Sequence, residues 1–445
     1  MGVGGTGLSA VARLLEARGH HVSGSDAGRW PLSEALRANG MTVHDSFSAA
    51  HIAGADVVLR SSAYGESNVE LQAAQEQGIT VWKRDDAWRA LSEGQRVIAI
   101  AGSHGKTTTT AMTWAALRAG GVDASLICGA AVRDLGSNAH AGTDQVLVIE
   151  ADEYDHAFLA LHPEIAIVTN VDHDHVDVYP TKADYHAAFA AFAAQVRGTL
   201  IACADDPGSA ALTGQIVLRY GSAAGADRRI TDLAATPSGQ TFVLQGTGDV
   251  AVSGGALAVT LGLPGLHNAR NAAAALLAAQ AAGAPAAALA TALARFGGTS
   301  RRLEVLGEAA GVVVVDDYAH HPIEIRSGLE AYAGAERRIV VFQPHTPSRL
   351  RAFFDDFAAV LRSADVAIVV ETFSSAREAA ESTDGSGARR LAMAAGAAYA
   401  PTAEAAAAIA AASARSGDVV LVMGAGDIRP AGERVLALLA ARRAA

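Results

Sequence analysis

Cysteine is scarce in this sequence: only Cys128 and Cys203 occur among 445 residues. Two cysteines cannot form a disulfide framework for a chain of this length, and such a composition is typical of the reducing cytoplasm. The chain also lacks any apolar run near the roughly 20 residues that a membrane-spanning helix needs. Its N-terminus has none of the charged and apolar stretches of a secretory signal. The sequence therefore predicts a cytoplasmic protein without a membrane span.

Positive charge is also in short supply, since the formal net charge is −11 and no basic block occurs. Nucleic acid is therefore not an expected partner. Of the 35 basic residues only three are lysines, Lys83, Lys106 and Lys182. Apolar residues make up 50% of the chain, which is enough for a sizeable core. At roughly 150 residues per domain, the length predicts about three domains.

Strand-like runs alternate with helical patterns along most of the chain, which is typical of parallel sheets with crossover helices. We expect an α/β protein with domains over residues 1–94, 95–297 and 298–445. Within the second domain, residues 214–262 are rich in glycine and β-formers. This composition predicts a more antiparallel appendage there.

The strongest local signal is A-G-S-H-G-K-T-T-T-T at residues 101–110, between a strand-like run and a helical pattern. Glycines let backbone N–H groups wrap phosphates, the helix N-terminus attracts negative charge, and a lysine reaches the outer phosphates. Ile100 stands where the general G-x-x-x-x-G-K-[ST] pattern has its first glycine. We predict a phosphate cradle with Lys106 on the phosphates and Thr107 or Thr108 on Mg²⁺. The alternative is a chance Gly-Lys-Thr turn.

Two acidic clusters follow later strands of the same domain, E-A-D-E-Y-D at residues 150–155 and T-N-V-D-H-D-H-V-D at residues 169–177. The carboxyl ends of parallel strands are where α/β proteins bind ligands, and carboxylate oxygens suit Mg²⁺. Each cluster alone could be an exposed polar turn. Beside a phosphate loop, the two together predict a metal and nucleotide site with Glu153 as a ligand. Zinc on the H-D-H stretch is the alternative, which the lack of a nearby cysteine disfavours.

A second glycine-rich stretch, G-V-G-G-T-G at residues 2–7, is similar to a dinucleotide-binding fingerprint. Asp26, about 20 residues further on, could bond a ribose hydroxyl, so NAD or another nucleotide diphosphate would fit. The strand that normally delivers such a loop is missing, because only Met1 precedes Gly2. We therefore expect that Met1 is not the start of the complete domain and that upstream codons encode a short apolar strand.

Taken together, the motifs resemble those of the Mur ligases, and the resemblance covers nearly the whole chain. The matching stretches, in the order and approximate spacing of that family, are G-S-H-G-K-T-T-T-T, E-A-D-E-Y-D, T-N-V-D-H-D-H-V-D, H-N-A-R-N-A-A-A-A, G-T-S-R-R and D-D-Y-A-H-H-P. G-V-G-G-T-G-L-S, R-S-S-A and F-Q-P-H, with D-D-Y-A-H-H-P, are similar to the branch that joins L-alanine to UDP-N-acetylmuramate. The nearest competitor in that branch joins a recycled tripeptide to the same sugar. The resemblance implies an N-terminal Rossmann-like UDP-binding domain, a central P-loop ATPase-type mixed sheet and a C-terminal Rossmann-like domain.

The resemblance further implies an ATP-dependent amide ligase of peptidoglycan precursor synthesis, with ATP and Mg²⁺ as cofactors. Its partners would be UDP-N-acetylmuramate and L-alanine, and the chain would be a monomer or weak homodimer. The implied catalytic residues are Lys106, Glu153 and His175, and the implied metal ligands are Thr107, Glu153 and His175. The implied ATP contacts are Gly102, Ser103, His104, Gly105, Lys106, Thr107, Thr108, Asn268, Asn271, Arg302 and Asp317. The implied UDP-sugar contacts are Gly4, Gly5, Thr6, Gly7, Asp26, Ser61 and Ser62. The implied alanine contacts are His320, His345 and Arg349.

The sequence departs from the family at two further places. Several relatives have a carbamylated lysine a few turns after the metal-binding histidine, whereas residues 188–191 here are A-F-A-A. After His345 the family often has a basic or bulky residue and then Tyr-Thr, whereas T-P-S follows here. These departures leave open how the metal site is completed and how the alanine pocket is shaped.

Two alternatives from other classes follow from the sequence. An NAD-dependent dehydrogenase would explain the first glycine-rich loop, but it leaves Lys106 and both acidic clusters without a role. A catalytically inactive sugar-binding relative is the other alternative. The presence of Lys106, Glu153 and His175 argues against it.

Overall fold

The structure is a computed structural model of the chain that describes residues 1–236, 239–246, 255–373 and 386–443. It contains two compact units. The first comprises residues 1–263 and 267–299, and the second comprises residues 264–266 and 300–445.

The first 95 residues contain two pairs of parallel strands with helices between them. The strands are β1 (Ser23–Ser25), β2 (Thr42–His44), β3 (Val57–Leu59) and β4 (Thr80–Trp82). The helices are α1 (Thr6–Ala17), α2 (Pro31–Ala38), α3 (Val69–Glu76) and α4 (Arg84–Ser92), with a 3₁₀ turn at Ala49–Ile52. Leu8, Val11 and Leu14 recur every three residues, so they bury one face of α1.

Residues 1–3 lie between the two strand pairs. Gly2 N donates to the carbonyl oxygen of Ser25, the last residue of β1, at 2.8 Å, and Ser61 N, just after β3, donates to Met1 O at 3.1 Å. The glycine-rich loop is therefore attached to both pairs. The additional upstream strand stays a prediction.

A ten-stranded mixed sheet forms the rest of the first unit. Its strands are β5 (Arg96–Ala101), β6 (Ser125–Val132), β7 (Ser137–His140), β8 (Val146–Glu150), β9 (Ile165–Val168), β10 (Thr199–Cys203), β11 (Ile216–Gly221), β12 (Arg228–Thr236), β13 (Gly239–Gly246) and β14 (Leu257–Leu261). The helices are α5 (Lys106–Ala119), α6 (Lys182–Ala194), α7 (Pro207–Ala210), α8 (Leu266–Ala281) and α9 (Ala286–Ala292), with a 3₁₀ segment at Tyr154–Ala160. The strand order is β14-β13-β12-β11-β10-β9-β5-β8-β6-β7, and all pairs from β12 to β6 are parallel.

The prediction of an antiparallel appendage at residues 214–262 is partly wrong. β11 pairs in parallel with both β10 and β12 and so continues the main sheet, while β13 pairs antiparallel with both β12 and β14. Composition indicated strands here, but it carries no information about which strand each one joins. Residues 237–238 and 247–254 of this stretch lie outside the described residues.

The core of the first unit lies on both faces of β5. Ile98 and Ile100 belong to an apolar cluster with α5 and α8, and Val97 and Ala99 belong to a second cluster with α6. This alternation follows from the two-residue period of a strand. A run buried on both faces is typical of a central parallel strand, and β5 ends at the loop that was predicted to bind phosphate.

The second unit has its own six-stranded sheet, with strand order β15-β16-β20-β17-β18-β19. Its strands are β15 (Glu304–Ala309), β16 (Val312–Asp317), β17 (Arg338–Phe342), β18 (Val366–Val370), β19 (Ala398–Ala400) and β20 (Val419–Met423). Its helices are α10 (Pro322–Ala331), α11 (Pro347–Ala352), α12 (Phe354–Leu361), α13 (Ser386–Ala395), α14 (Ala403–Ser413) and α15 (Arg429–Arg443). All pairs are parallel except β15 with β16.

The structure confirms the predicted α/β fold class. In the described part of the chain, none of the helices has the length and apolar character needed to cross a bilayer.

Candidate active site

The predicted phosphate loop, residues 101–106, connects β5 to α5, and two of its glycines lie very close to neighbouring residues. Gly102 and Gly105 have φ angles of +135° and +81°. A Cβ atom at Gly102 would overlap the Thr169 hydroxyl, and one at Gly105 would lie 2.7 Å from Asn271 Oδ1. Because only glycine combines this conformation with this proximity, the two glycines let the loop approach the segment after β9 and the helix α8.

Lys106, the first residue of α5, is held by carboxylate and carbonyl oxygens. Its Nζ lies 2.8 Å from Glu153 Oε2 and donates to the carbonyl oxygen of Gly102 at 2.5 Å. Burial alone would lower the pKa of Lys106, but the charges of Glu153 and Asp152 outweigh burial and raise it. The ammonium group is therefore charged at the mouth of the loop.

Asp152, Glu153 and His175 form a group that can hold a cation, with one ligand atom from each lying within 4.8 Å of the others. Burial alone would raise the pKa of Glu153, but Lys106 and His175 outweigh it and lower that pKa. The pKa of His175 is raised by its contact with Glu153 in spite of burial, which opposes the shift. Two ionised carboxylates beside a phosphate loop fit Mg²⁺, which prefers oxygen ligands.

The backbone near this group is strained. Asp155, His156 and His175 have φ angles of +57°, +56° and +51°, a region that residues other than glycine seldom adopt. Such strain concentrates at functional sites, where the surrounding structure maintains it.

The other predicted loop residues contact the two acidic clusters. The Thr107 hydroxyl donates to Glu150 Oε1 at 2.9 Å, and Thr108 is buried in α5. Ser103 Oγ donates to Asp172 O at 2.7 Å. The backbone N–H of His104 donates to Asn170 Oδ1 at 2.8 Å. The structure therefore brings the loop and both clusters together. Asn268 and Asn271 are buried on α8, with Asn271 beside Gly105.

Two tyrosines that sequence analysis missed support Glu153. The Tyr185 hydroxyl lies 3.1 Å from Glu153 Oε1 and 2.9 Å from Ser103 Oγ, and burial raises the pKa of Tyr185 well above its ordinary value. The Tyr179 hydroxyl donates to Glu153 O at 2.5 Å. Tyr185 lies on α6, and Ala188 and Phe189 of the A-F-A-A stretch are buried on that helix. The sequence did contain a signal for these two residues, because both tyrosines lie close to the start of α6 and just after the second acidic cluster.

The N-terminal glycine-rich loop is anchored by a buried carboxylate. Gly4 N donates to Asp26 Oδ2 at 2.7 Å, and the Tyr64 hydroxyl donates to Asp26 Oδ1 at 2.7 Å. Burial and Asp26 raise the pKa of Tyr64 to about 12, so its hydroxyl stays a donor. A Cβ atom at Gly2 would lie 2.8 Å from Ser61 Cβ.

Three other predicted sugar-binding residues adjoin the start of α1. Gly5 is the N-cap of this helix, and Thr6 is its first residue. A Cβ atom at Gly7, the next residue, would lie 3.2 Å from Cδ of Arg84. Ser62 follows Ser61 after β3. The structure therefore brings the predicted sugar-binding residues around one loop, and their role stays a prediction.

In the second unit, Asp317 ends β16 as a buried carboxylate. Leu303 N and Ala319 N donate to its two oxygens at 2.9 and 2.7 Å. Burial raises the pKa of Asp317 to about 6, although Arg302 opposes the shift. The Arg302 guanidinium lies 5.1 Å from the centre of the Tyr318 ring.

The predicted alanine-binding residues follow two strands of the same sheet. The rings of His320 and His345 lie 5.7 Å apart, and that of His345 stacks on Phe373 at 5.5 Å. Arg349 lies on α11, which begins two residues after His345. The structure brings the two histidines together, and their binding role stays a prediction.

Comparison with known proteins identifies the family. Sequence models of that family match three parts of the chain: the Mur ligase family catalytic domain over residues 1–96, the Mur ligase middle domain over residues 100–279, and the Mur ligase glutamate ligase domain over residues 301–426. The UDP-N-acetylmuramate–L-alanine ligase of Chloroflexus aggregans is 44% identical, over 99% of this chain and 97% of that protein. The chain belongs to the Mur ligase family.

Two solved structures are similar to this chain over nearly its whole length. The UDP-N-acetylmuramate–alanine ligase of Thermotoga maritima matches with a TM-score of 0.82 and 26% identity, over 98% of this chain and 97% of that one. A murein peptide ligase of Psychrobacter arcticus matches with a TM-score of 0.73 and 24% identity, over 99% and 98% of the two chains, and supports the fold alone. The part of this Mur ligase that matches the middle domain contains Lys106, Glu153, His175, Asn268 and Asn271.

Proposed function

We propose that this chain joins L-alanine to the lactyl carboxylate of UDP-N-acetylmuramate and converts ATP to ADP and phosphate. The observation that carries the proposal is the partly buried group at the predicted phosphate loop, where Lys106 adjoins Glu153, Asp152 and His175. The alanine ligase relative at 44% identity supports the choice of substrates.

The reaction has two steps in this proposal. The lactyl carboxylate attacks the γ-phosphorus of ATP, so that an acyl phosphate forms and ADP leaves. The amine of L-alanine then attacks the acyl carbon, an amide forms, phosphate leaves, and the amine gives up a proton. The first step brings a carboxylate against a triphosphate, and this repulsion must be neutralised by fixed positive charge.

The chain's own residues supply much of that neutralisation. Lys106 and the N-terminus of α5 bind the outer phosphates, which replace the loop carbonyls that Lys106 now contacts. Asp152, Glu153 and His175, with Thr107 beside them, would hold Mg²⁺, which when bound neutralises charge on the phosphates. Tyr185 and Tyr179 fix the Glu153 side chain and backbone.

The remaining predicted residues bind the substrates in this proposal. The UDP-sugar contacts are Gly4, Gly5, Thr6, Gly7, Asp26, Ser61 and Ser62. The adenosine and phosphate contacts are Asn268, Asn271, Arg302 and Asp317. His320 and His345 orient L-alanine, and Arg349 pairs with its carboxylate. The cytoplasmic location, the monomeric or weakly dimeric state and the domain boundaries stay predictions.

The test is phosphate release with ATP, Mg²⁺ and UDP-N-acetylmuramate across a panel of acceptors. We expect release with L-alanine and little with D-glutamate or with the tripeptide that a recycling ligase would use. Equal or faster release with the tripeptide would assign the chain to that alternative. Nicotinamide absorbance changes without phosphate release would instead favour a dehydrogenase. Sugar binding without turnover would favour an inactive relative.

A further inference from the structure

Arg84 lies between the N-terminal glycine-rich loop and the acidic cluster at residues 150–155, although no motif contains it. Its Nη1 lies 2.6 Å from Asp152 Oδ2, and its Nη2 donates to Tyr154 O at 3.4 Å. The guanidinium also lies 4.7 Å from the centre of the Trp88 ring. Arg84 is the first residue of α4, where the helix dipole disfavours a cation. Asp152 compensates for this unfavourable position.

The same side chain adjoins the N-terminal glycine-rich loop. A Cβ atom at Gly7 would lie 3.2 Å from Arg84 Cδ, so the aliphatic part of Arg84 passes directly over this glycine. Arg84 keeps 25% of its side chain exposed. It therefore lies between the loop proposed to bind the UDP-sugar and the carboxylates proposed to hold a cation.

Both carboxylates of the cation group are paired with protein cations. Lys106 contacts Glu153, and Arg84 contacts Asp152. A divalent cation on these oxygens would compete with both side chains. Lys106 then has the phosphates of ATP as alternative partners. Arg84 would then need another anionic partner, and its side chain adjoins the glycine-rich loop at Gly7.

We propose that Arg84 is a binding residue for the anionic UDP-sugar and that Asp152 competes with that ligand for the guanidinium. The inference rests on the proposed function, which supplies the ligand. A guanidinium has five donors in a planar fork that matches a carboxylate or a phosphate in bidentate fashion. The ligand group is the lactyl carboxylate or the diphosphate, which share this chemistry.

The experiment is calorimetry of UDP-N-acetylmuramate binding without divalent cations. Arg84→Gln should weaken binding about tenfold or more, because a charge-assisted hydrogen bond is lost. Asp152→Asn should tighten binding several-fold, because the competitor for Arg84 loses its charge. The double variant should bind as weakly as Arg84→Gln. Arg89→Gln on the same helix, an exposed arginine paired with Asp86, is the matched control and should bind as the unaltered protein does.

Two further measurements sharpen the result. UDP-N-acetylglucosamine has the diphosphate but lacks the lactyl carboxylate. A loss with both nucleotides assigns Arg84 to the diphosphate, and a loss with UDP-N-acetylmuramate alone assigns it to the carboxylate. Arg84→Lys keeps the charge without the fork and should lose affinity by an intermediate factor, which covers the case in which Arg84→Gln fails to fold. Unchanged ADP affinity shows that a variant is folded.

Unchanged sugar affinity in Arg84→Gln would overturn the proposal. So would an Asp152→Asn variant that binds the sugar more weakly, because Arg84 would then act only as a support for Asp152. If the unaltered protein does not bind UDP-N-acetylmuramate, the proposed function itself fails. The two failures are thus separate observations.

Discussion

Glu153 in the first unit and Asp317 in the second are both buried carboxylates, with 0% and 8% of their surfaces exposed. Burial alone would raise both pKa values, yet the pKa of Glu153 is lowered and that of Asp317 is raised to about 6. Lys106 contacts Glu153 directly, and His175 adds a second positive partner. Burial outweighs what lowers the pKa of Asp317, namely the charge of Arg302 and two donated backbone N–H groups, and the charge of Glu324 raises it further.

The difference shows that a buried carboxylate here has a lowered pKa only where contacting cations outweigh its burial. A depressed pKa means that the Glu153 interactions stabilise the fold above its unfolded pKa, and that this contribution is lost as the pH falls. A raised pKa means that Asp317 costs stability once the pH rises above its unfolded value. Acidification should therefore destabilise the structure around Glu153 and stabilise the structure around Asp317.

The largest effect should come from Lys106→Ala, which removes the cation nearest Glu153. We expect kcat to fall by at least about 10²-fold, because in the proposed mechanism this cation acts on the phosphate that is transferred. The affinity for UDP-N-acetylmuramate should stay nearly unchanged, since Lys106 contacts none of the proposed sugar-binding residues in the described structure. Steady-state rates and calorimetry measure the two quantities, and exposed Lys182→Ala is the control. A parallel loss of sugar affinity would contradict this division of the site.

Asp317→Asn should remove the loss of stability that Asp317 causes as the pH rises. A pKa raised from 3.8 to about 6 means that stability declines by about 2 kcal/mol between pH 4 and pH 8, since each pKa unit corresponds to about 1.4 kcal/mol. The variant should lose this decline. Hydrogen exchange of peptides that contain β16 and β20, followed at several pH values, measures it in the full chain. Glu330→Gln, at an exposed residue on α10, is the control and should keep the decline. If Asp317→Asn also kept the decline, a group other than Asp317 would be responsible.

The sequence was sufficient to predict the strand, loop and helix around residues 101–106, because a buried strand, a glycine pair and a rare lysine occupy adjacent positions. Glu153 and the second acidic cluster were predicted to lie together because the carboxyl ends of parallel strands share one edge of a sheet, whereas His175 was implied only by the family resemblance. Each of these predictions depends only on residues that are neighbours in the sequence. The α/β class followed from the same alternation of elements.

Other parts of the site could not be predicted from local pattern. Tyr185 reaches Glu153 from a helix 32 residues later, and Arg84 reaches Asp152 from 68 residues earlier. Such contacts depend on how distant elements pack, and neither residue belongs to a motif. The pairing of β11 with β10 was missed for the same reason, since composition does not specify a partner strand.

Glu153→Gln should have a smaller effect on activity, and it tests whether the charge of Glu153 is needed to bind Mg²⁺. The amide keeps the shape of the side chain but is a weaker ligand for a hard cation, so the Mg²⁺ concentration for half-maximal rate should rise about tenfold. Titration of Mg²⁺ at saturating ATP measures this, and Glu16→Gln, an exposed residue on α1, is the control. An unchanged requirement would remove Glu153 from the proposed cation group.

The smallest effect should come from Tyr185→Phe, which tests how much the surroundings of Glu153 depend on a neutral donor. The variant removes one hydroxyl that contacts Glu153 Oε1 and Ser103 Oγ, while the ring keeps its packing against Tyr179 and Phe189. We expect a loss of about 1 kcal/mol in the free energy of unfolding, as for one buried hydrogen bond, and a raised KM for ATP with little change in the affinity for UDP-N-acetylmuramate. Lys106 and His175 remain beside Glu153 in this variant, so the carboxylate should stay ionised. A loss in kcat as large as that of Lys106→Ala would mean that the hydroxyl does more than position Glu153, because a neutral donor would then matter as much as the cation.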